Sequence, residues 1–270
     1  RIKVISVLIF LACIAMIVIA IFPALWVCLA SFKNIQEFRR NPTILPSKYD
    51  FSVFVKTWND LHFLKYYFNS FLAVAGSVVS AVFFNGLLAY GLAILEPRGY
   101  KIVTGLVMWG LMIPATTSVV SLFVNITRVG LDGSFIPLWL AIGANAFYVL
   151  LFKEFFEQLP RELIEASTLD GCSNFKIFYM IVIPLSVSIV MVVAIFAVSA
   201  AWSDFFLLYL VLSNTDKVTV MVRLFQFRTT NTNDVDVLRA IVFSIIPPIV
   251  LFTIFQKQIT QSVVSAGIKG

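Results

Sequence analysis

A short charged segment, Leu159-Pro-Arg-Glu-Leu-Ile-Glu-Ala-Ser-Thr-Leu-Asp-Gly171, lies between two long apolar stretches. Its residue types are those of a compact helix with defined ends. Pro160 suits a first helical turn, where its missing N–H costs nothing. Glu162 and Glu165 sit toward the positive N-terminal end of the helix dipole. Leu163, Ala166 and Asp170 fall on one side, with Leu159 just before them. Gly171 can take the left-handed conformation that stops a helix. The chemistry on offer is mechanical. A short amphipathic rod on the membrane surface, joined to a span that begins near residue 177, can pass force from a soluble partner into the membrane. The same residues also suit an ordinary surface helix, and their spacing alone does not separate the two.

Covalent chemistry finds little support. There is one histidine, His62, in a polar loop, so no Ser/His/Asp or Cys/His constellation is available and no catalytic residue is assigned. Cys13, Cys28 and Cys172 have no ligand spacing to one another or to His62, and read as small apolar residues rather than a metal site. No phosphate loop is present, and no Gly-Lys pair occurs at all, so ATP hydrolysis by the usual route would need a separate polypeptide. No basic patch is interleaved with stacking aromatics, which argues against nucleic acid.

The elements that must position the rod are apolar. Hydrophobic residues make up 60% of the chain and charged ones 13%, and the mean hydropathy is +0.96. Soluble domains average about 45–50% apolar and about 25% charged. Lipid must therefore be the solvent, and the net charge of +6 reads as basic residues flanking spans. Six stretches qualify, or nearly so, as spans of about 20 apolar residues: 4–31, 69–95, 102–127, 135–152, 177–202 and 240–255. None contains Asp, Glu, Lys, Arg or His. The first is too long for the core of a signal peptide and reads as a retained span. The chain opens on Arg1, which implies that the protein starts upstream. Pro23, Pro114, Pro184 and the pair Pro247–Pro248 predict kinks. The run 205–212 is too short to cross and reads as re-entrant or interfacial. Basic residues divide almost evenly between the two sides, so charge bias does not orient the chain.

Glu165-Ala166-Ser167, three residues, Gly171, nine residues, then Ile181-Val182-Ile183-Pro184 resembles the signature of binding-protein-dependent ABC importer permeases. The family pattern is E-A-A, three residues, G, nine residues, I-x-L-P; Ser167 and Ile183 are conservative departures. Ser31-Phe32-Lys33, Pro42, Pro46, Asn69-Ser70 and the tail Ala266-Gly267-Ile268-Lys269-Gly270 are similar to the carbohydrate branch that includes the second maltose-transporter permease. The resemblance covers essentially the whole chain. It implies an all-α polytopic membrane protein with six transmembrane helices and a type I ABC importer permease (MetI-like) fold. It also implies a bacterial inner-membrane location with both termini and the 153–176 loop cytoplasmic. The expected partition is 1–68 for the first helix and an extracytoplasmic loop, 69–256 for a five-helix core carrying a coupling helix at about 159–171, and 257–270 for a cytoplasmic tail.

The implied partners are a homologous permease forming a heterodimer, two ATP-binding subunits and an extracytoplasmic sugar-binding protein. ATP and magnesium would be bound by the ATPase subunits, leaving this chain without a cofactor. Carried over by position, Glu165 is the charged ATPase contact, Ala166 and Ser167 permit close approach, and Gly171 makes the turn. Asp170 and Pro184 belong to the same coupling segment, and Lys269 and Gly270 form a weaker tail contact. For the substrate path, a sugar needs hydrogen bonds and aromatic faces. Asn145, Tyr148 and Trp202 are the candidates, although interhelical hydrogen bonding and interfacial placement explain each of them better. Two other readings stay open. One is a secondary transporter driven by an ion gradient, which usually needs the intramembrane carboxylates these spans lack. The other is an ABC permease for a polyol or a sugar phosphate. Spans that serve only as anchors would make the chain a scaffold or sensor, which the polar-studded, kinked spans disfavour.

Overall fold

The structure, a computed structural model, describes residues 2–40, 43–230 and 233–267, without the side chains of 2–4, 115, 116 and 257–267. Among the described residues every regular element is a helix. A lipid-facing chain must satisfy its backbone within each segment, and helices do this.

Helix α1 (Ile2–Ala30) has 29 residues, about 43 Å at 1.5 Å per residue, against a hydrocarbon core of roughly 30 Å. Its side chains from 5 to 26 are exposed on every face, which suits lipid or the helices of another protein. Helices α2 (Ile35–Arg40) and α3 (Ser52–Asp60) lie in the polar loop that follows. Helix α4 (Phe63–Ser80) continues through a π-helical turn at Ala81–Asn85, α5 (Gly86–Tyr90) and a second π-helical turn at Gly91–Leu95 as one apolar span. Next come α6 (Tyr100–Gly110) and α7 (Ala115–Arg128). Helices α8 (Ile136–Gly143) and α9 (Ala146–Phe156) meet at 43°. Helix α10 (Arg161–Leu169) is followed by α11 (Asn174–Ile177), a third π-helical turn at Phe178–Val182 and α12 (Ile183–Leu185). There α13 (Val187–Ser203) departs at 87°. Helices α14 (Phe206–Leu212), α15 (Val220–Thr230) and α16 (Asp234–Gly267) complete the order.

The six expected spans are realised in three ways. Ile5–Ala30, Phe63–Leu95 and Asp234–Gln256 are single helices long and apolar enough to cross, and the two bent pairs bring the number to five if each crosses as one. The stretch 102–127 is divided between α6 and α7. Pro114 explains the division: with φ −61° and ψ 125° it stands just outside α7, it cannot donate a helix hydrogen bond, and it pushes Ile113 away from helical geometry. Pro184 likewise precedes the 87° bend, whereas Pro23 and Pro247–Pro248 sit inside continuous helices.

The chain forms two compact units, 1–65 with 223–247, and 66–222 with 248–270. The segment 223–247 thus belongs with the first unit. Arg239, 7% exposed, explains this in part. It donates to the carbonyls of Ser31 (2.9 Å) and Lys33 (2.9 Å), just beyond α1, and pairs with Asp236 (2.5 Å). A cation there satisfies carbonyls at a helix C-terminus. Phe243 adds ring contacts with Phe54, Trp58 and Phe63 at 5.9, 5.1 and 5.1 Å.

The second unit has its own core, with Leu138, Phe152, Phe156, Ile177, Val182 and Leu208 almost wholly buried. Hydrophobicity drives little helix association inside lipid, so close packing and interhelical hydrogen bonds must hold it together. Trp139 lies directly over Gly76, where an added Cβ would sit 2.2 Å from the indole. The indole Nε1 donates to the Ala73 carbonyl at 3.0 Å. Asn85 is fully buried, donates to the carbonyls of Ala81 (2.8 Å) and Ile142 (3.0 Å), and accepts from the Asn145 N–H (2.9 Å). One amide thus joins the second span to the α8–α9 bend.

Candidate functional site

The charged segment singled out by its residues folds as α10. Pro160 occupies the N-cap position with φ −58° and ψ 116°, one residue before the first turn, and Arg161 opens the helix. Glu162 lies in the first turn, where the dipole favours a carboxylate. At the other end Gly171 has φ +78°. The Gly171 N–H donates to the Thr168 carbonyl and the Cys172 N–H to the Ser167 carbonyl, both at 3.0 Å. This pair of bonds is a Schellman stop, which satisfies the last carbonyls and turns the chain sharply. An added Cβ at Gly171 would meet nothing within 4 Å, so the glycine is needed for its backbone and not for space. Ser173 then caps α11, accepting from the Lys176 N–H.

The two faces of α10 differ. Ile164 packs against the core of the second unit, as do Leu159 just before the helix and Cys172 just after it. Ser167 is half-buried, and its hydroxyl is engaged with the Leu163 carbonyl at 2.6 Å. Leu163, Ala166 and Asp170 share the exposed face, as their spacing implies, but Leu159 does not join them. Leu163 is 46% exposed and Leu169 88%. Glu162 and Glu165 are exposed as well. The outward surface is therefore apolar at Leu163, Ala166 and Leu169, with carboxylates from Glu162, Glu165 and Asp170 around it. An apolar group rimmed by polar residues in this way suits an interaction surface.

The rod has a connection at each end. Its C-terminal stop leads within two residues into α11, the third π-helical turn, Pro184 and the 87° bend. At its N-terminal end the Arg161 guanidinium donates to the Glu96 carboxylate at 2.7 Å. Glu96 lies in the turn between the second span and α6. Arg161, aided by the Tyr100 hydroxyl, holds the Glu96 carboxyl below its ordinary value of 4.5, and Glu96 in return raises Arg161. Lys153 and Glu157 pair at 2.6 Å one turn earlier.

The three candidates for a substrate path are not gathered at one surface. Asn145 caps α9, its side-chain oxygen accepting from the N–H groups of Phe147 (3.0 Å) and Tyr148 (3.2 Å). Tyr148 is 4% exposed and belongs to the core. Trp202 is half-buried at the end of α13, edge-on to Tyr67 at 6.0 Å. A groove of about 470 Å³ lies beside the α8–α9 bend, walled by Phe84, Leu88, Val107, Gly110, Gly143 and Ala146, and none of the three lines it. Asn85 also borders it, with its amide already engaged, so the groove lacks the convergent polar groups a sugar needs. Lys269 and Gly270 fall outside the described residues.

Sequence reasoning missed two positions. Asn85 was one polar residue among several in the spans; being a lone amide in a long apolar run was its only signal. Glu96 carried no signal, because its partner is 65 positions away.

Comparison with known proteins gives these features a setting. Residues 85–265 match the family model for the binding-protein-dependent transport system inner membrane component. The "Probable ABC transporter permease protein YurM" of Bacillus subtilis is 32% identical over 252 residues, 92% of this chain and 84% of that protein. The "Diacetylchitobiose uptake system permease protein NgcG" of Streptomyces coelicolor is 28% identical over 251 residues, 91% of this chain and 83% of that one. A chain in the crystal structure of a bacterial ABC transporter involved in the import of the acidic polysaccharide alginate superposes with a TM-score of 0.84 at 21% identity, covering 94% of this chain and 96% of its own, which shows a shared fold. Matched over more than half its length, with α10 between two bent spans, the chain belongs to the family of binding-protein-dependent transport system inner membrane components.

Proposed function

We propose that this chain is one of two permease subunits of an ABC importer for a carbohydrate, an oligosaccharide in the first instance, and that α10 is its coupling helix. The observation that carries the reading is the build of α10: a rod stopped by Gly171, with Leu163, Ala166 and Leu169 exposed among carboxylates, and joined by a short turn to a sharply bent span. A cleft on an ATP-binding subunit that buries these apolar side chains and offers basic groups to Glu162, Glu165 and Asp170 would complement that face. Small residues at Ala166 and Ser167 allow close approach. Relatives named for diacetylchitobiose uptake and for alginate import support the substrate class.

The mechanism follows from rigidity. Closure of two ATP-binding subunits around ATP and magnesium draws two such rods together, one from each permease. Because α10 passes through a Schellman turn into α11, its movement becomes rotation of the bent span rather than loop flexing. The paired permeases then alternate between inward-open and outward-open forms. A sugar-binding protein delivers solute on the outer face, and the loop containing α10 and both chain termini lies on the cytoplasmic side. The deciding experiment is uptake by vesicles holding the assembled transporter. Uptake lost on ATP depletion and resistant to a protonophore supports the reading. Uptake abolished by the protonophore with ATP maintained overturns it in favour of an ion-driven carrier.

A further inference from the structure

We infer that Glu96 is a positioning residue of the coupling device, tying the N-terminal end of α10 through Arg161 to the turn that joins the second span to α6. The inference rests on the reading of α10 as the coupling helix. Three observations carry it.

The first is geometric: the Glu96 and Arg161 side chains meet at 2.7 Å across 65 positions of sequence. The second is conformational. Glu96 is left-handed, with φ 43° and ψ 53°, a conformation costly for a residue with a Cβ and usually given to glycine. Three residues on, Gly99 takes φ +89° in the same turn. A glutamate where glycine would be unstrained points to a use for its side chain. The third is convergence. The Glu96 N–H closes the second π-helical turn by donating to the Gly91 carbonyl at 3.0 Å, its carboxylate accepts from Arg161, and α6 opens four residues on at Tyr100. One residue therefore joins the end of the second span, in the turn that leads into α6, to the start of α10. Lys101 adds positive charge acting on the carboxylate, and Glu157 and Glu165 add negative charge acting on the guanidinium.

By chain connection alone, α10 would move only α9 and α11. With the Glu96 contact, a push on α10 also reaches the second span and α6. The Arg161 and Glu96 side chains are 65% and 34% exposed, so the pair contributes little to overall stability. Its effect is local and is read in the position of α10.

The test uses the full transporter, purified with its ATP-binding subunits in nanodiscs and free of native cysteines. Spin labels at Thr168→Cys and Val103→Cys report the distance from α10 to α6, with and without the non-hydrolysable probe AMP-PNP. The expected result is one narrow distance for the parent. Glu96→Gln and Arg161→Gln raise the population outside that peak about two- to five-fold, the size an exposed ion pair supports. Glu96→Gly does the same despite its easier backbone, Glu96→Asp retains most of the order, and the exchange Glu96→Arg with Arg161→Glu restores it. An unchanged narrow peak in Glu96→Gln, or in Glu96→Gly, overturns the inference. If AMP-PNP shifts the peak while Glu96→Gln leaves it narrow, only the positioning role fails. If the variants broaden the peak as expected but AMP-PNP moves nothing in the parent, the positioning role stands and the coupling reading of α10 fails.

Discussion

Single residues divide the labour at α10 between contact and shape. Glu165 is exposed on the outward surface of α10, so Glu165→Ala is expected to reduce uptake by tenfold or more while leaving membrane insertion intact; an interfacial charge pair with a buried partner is worth about 2 kcal/mol or more. Uptake per inserted molecule, measured against the parent, checks this. Gly171 acts through its backbone. With φ +78° and open space around it, Gly171→Ala should lower the thermal midpoint by the equivalent of about 1–2 kcal/mol, and Gly171→Pro, whose φ is locked near −65°, should abolish uptake. Glu96 supplies a pH dependence. Its carboxyl is depressed below 4.5 in the folded protein, so the pair's contribution is fully present above 4.5 and is lost as pH falls through the folded value. The excess population outside the α10–α6 distance peak in Glu96→Gln over the parent should therefore be constant from neutral pH down to about 4.5, and shrink below it.

At the scale of elements, the second unit depends on close backbone approach and on a few buried amides. Gly76→Val would drive a side chain into the Trp139 indole. Overpacking of this kind costs about 1–3 kcal/mol, and it should also free the indole N–H from the Ala73 carbonyl, visible as a shift in tryptophan fluorescence alongside a lower thermal midpoint. Much of this level was legible in the residues. The apolar runs, the kink at Pro184 and the glycine stop at 171 follow from local rules about lipid, proline and left-handed backbone, and the structure shows each of them. The division of 102–127 was not foreseen, because Pro114 was expected to kink a helix and instead separates two. The outward face of α10 was half legible: the spacing of Leu163, Ala166 and Asp170 predicts a shared side, but only the packing of Ile164, Leu159 and Cys172 shows which side is covered. Asn145 and Tyr148 were chosen for residue type, and type does not reveal that one is a helix cap and the other core. Contacts such as Asn85 with the α8–α9 bend join distant positions and leave no local pattern.

At the scale of the molecule, α1 stands out for a surface that the described residues leave open. Its apolar surface is uncovered from residue 5 to 26, which lipid or a second permease would cover. Arg239 fastens the far end of this helix through the carbonyls of Ser31 and Lys33. Hydrogen bonds to a charged donor are worth about 1.5–3 kcal/mol, so Arg239→Met should lower the thermal midpoint of the purified protein measurably while leaving the Glu165 surface intact. The importer reading itself turns on where α10 faces and what it meets. In a background free of native cysteines, Ala166→Cys carries a thiol on the exposed face, and a bifunctional reagent can report its neighbour in inverted vesicles holding the whole transporter. The expected product joins this chain to an ATP-binding subunit and changes in yield when ATP is added. Modification of that thiol by an impermeant reagent from the extracytoplasmic side, with no crosslink to an ATP-binding subunit, would contradict the coupling role of α10.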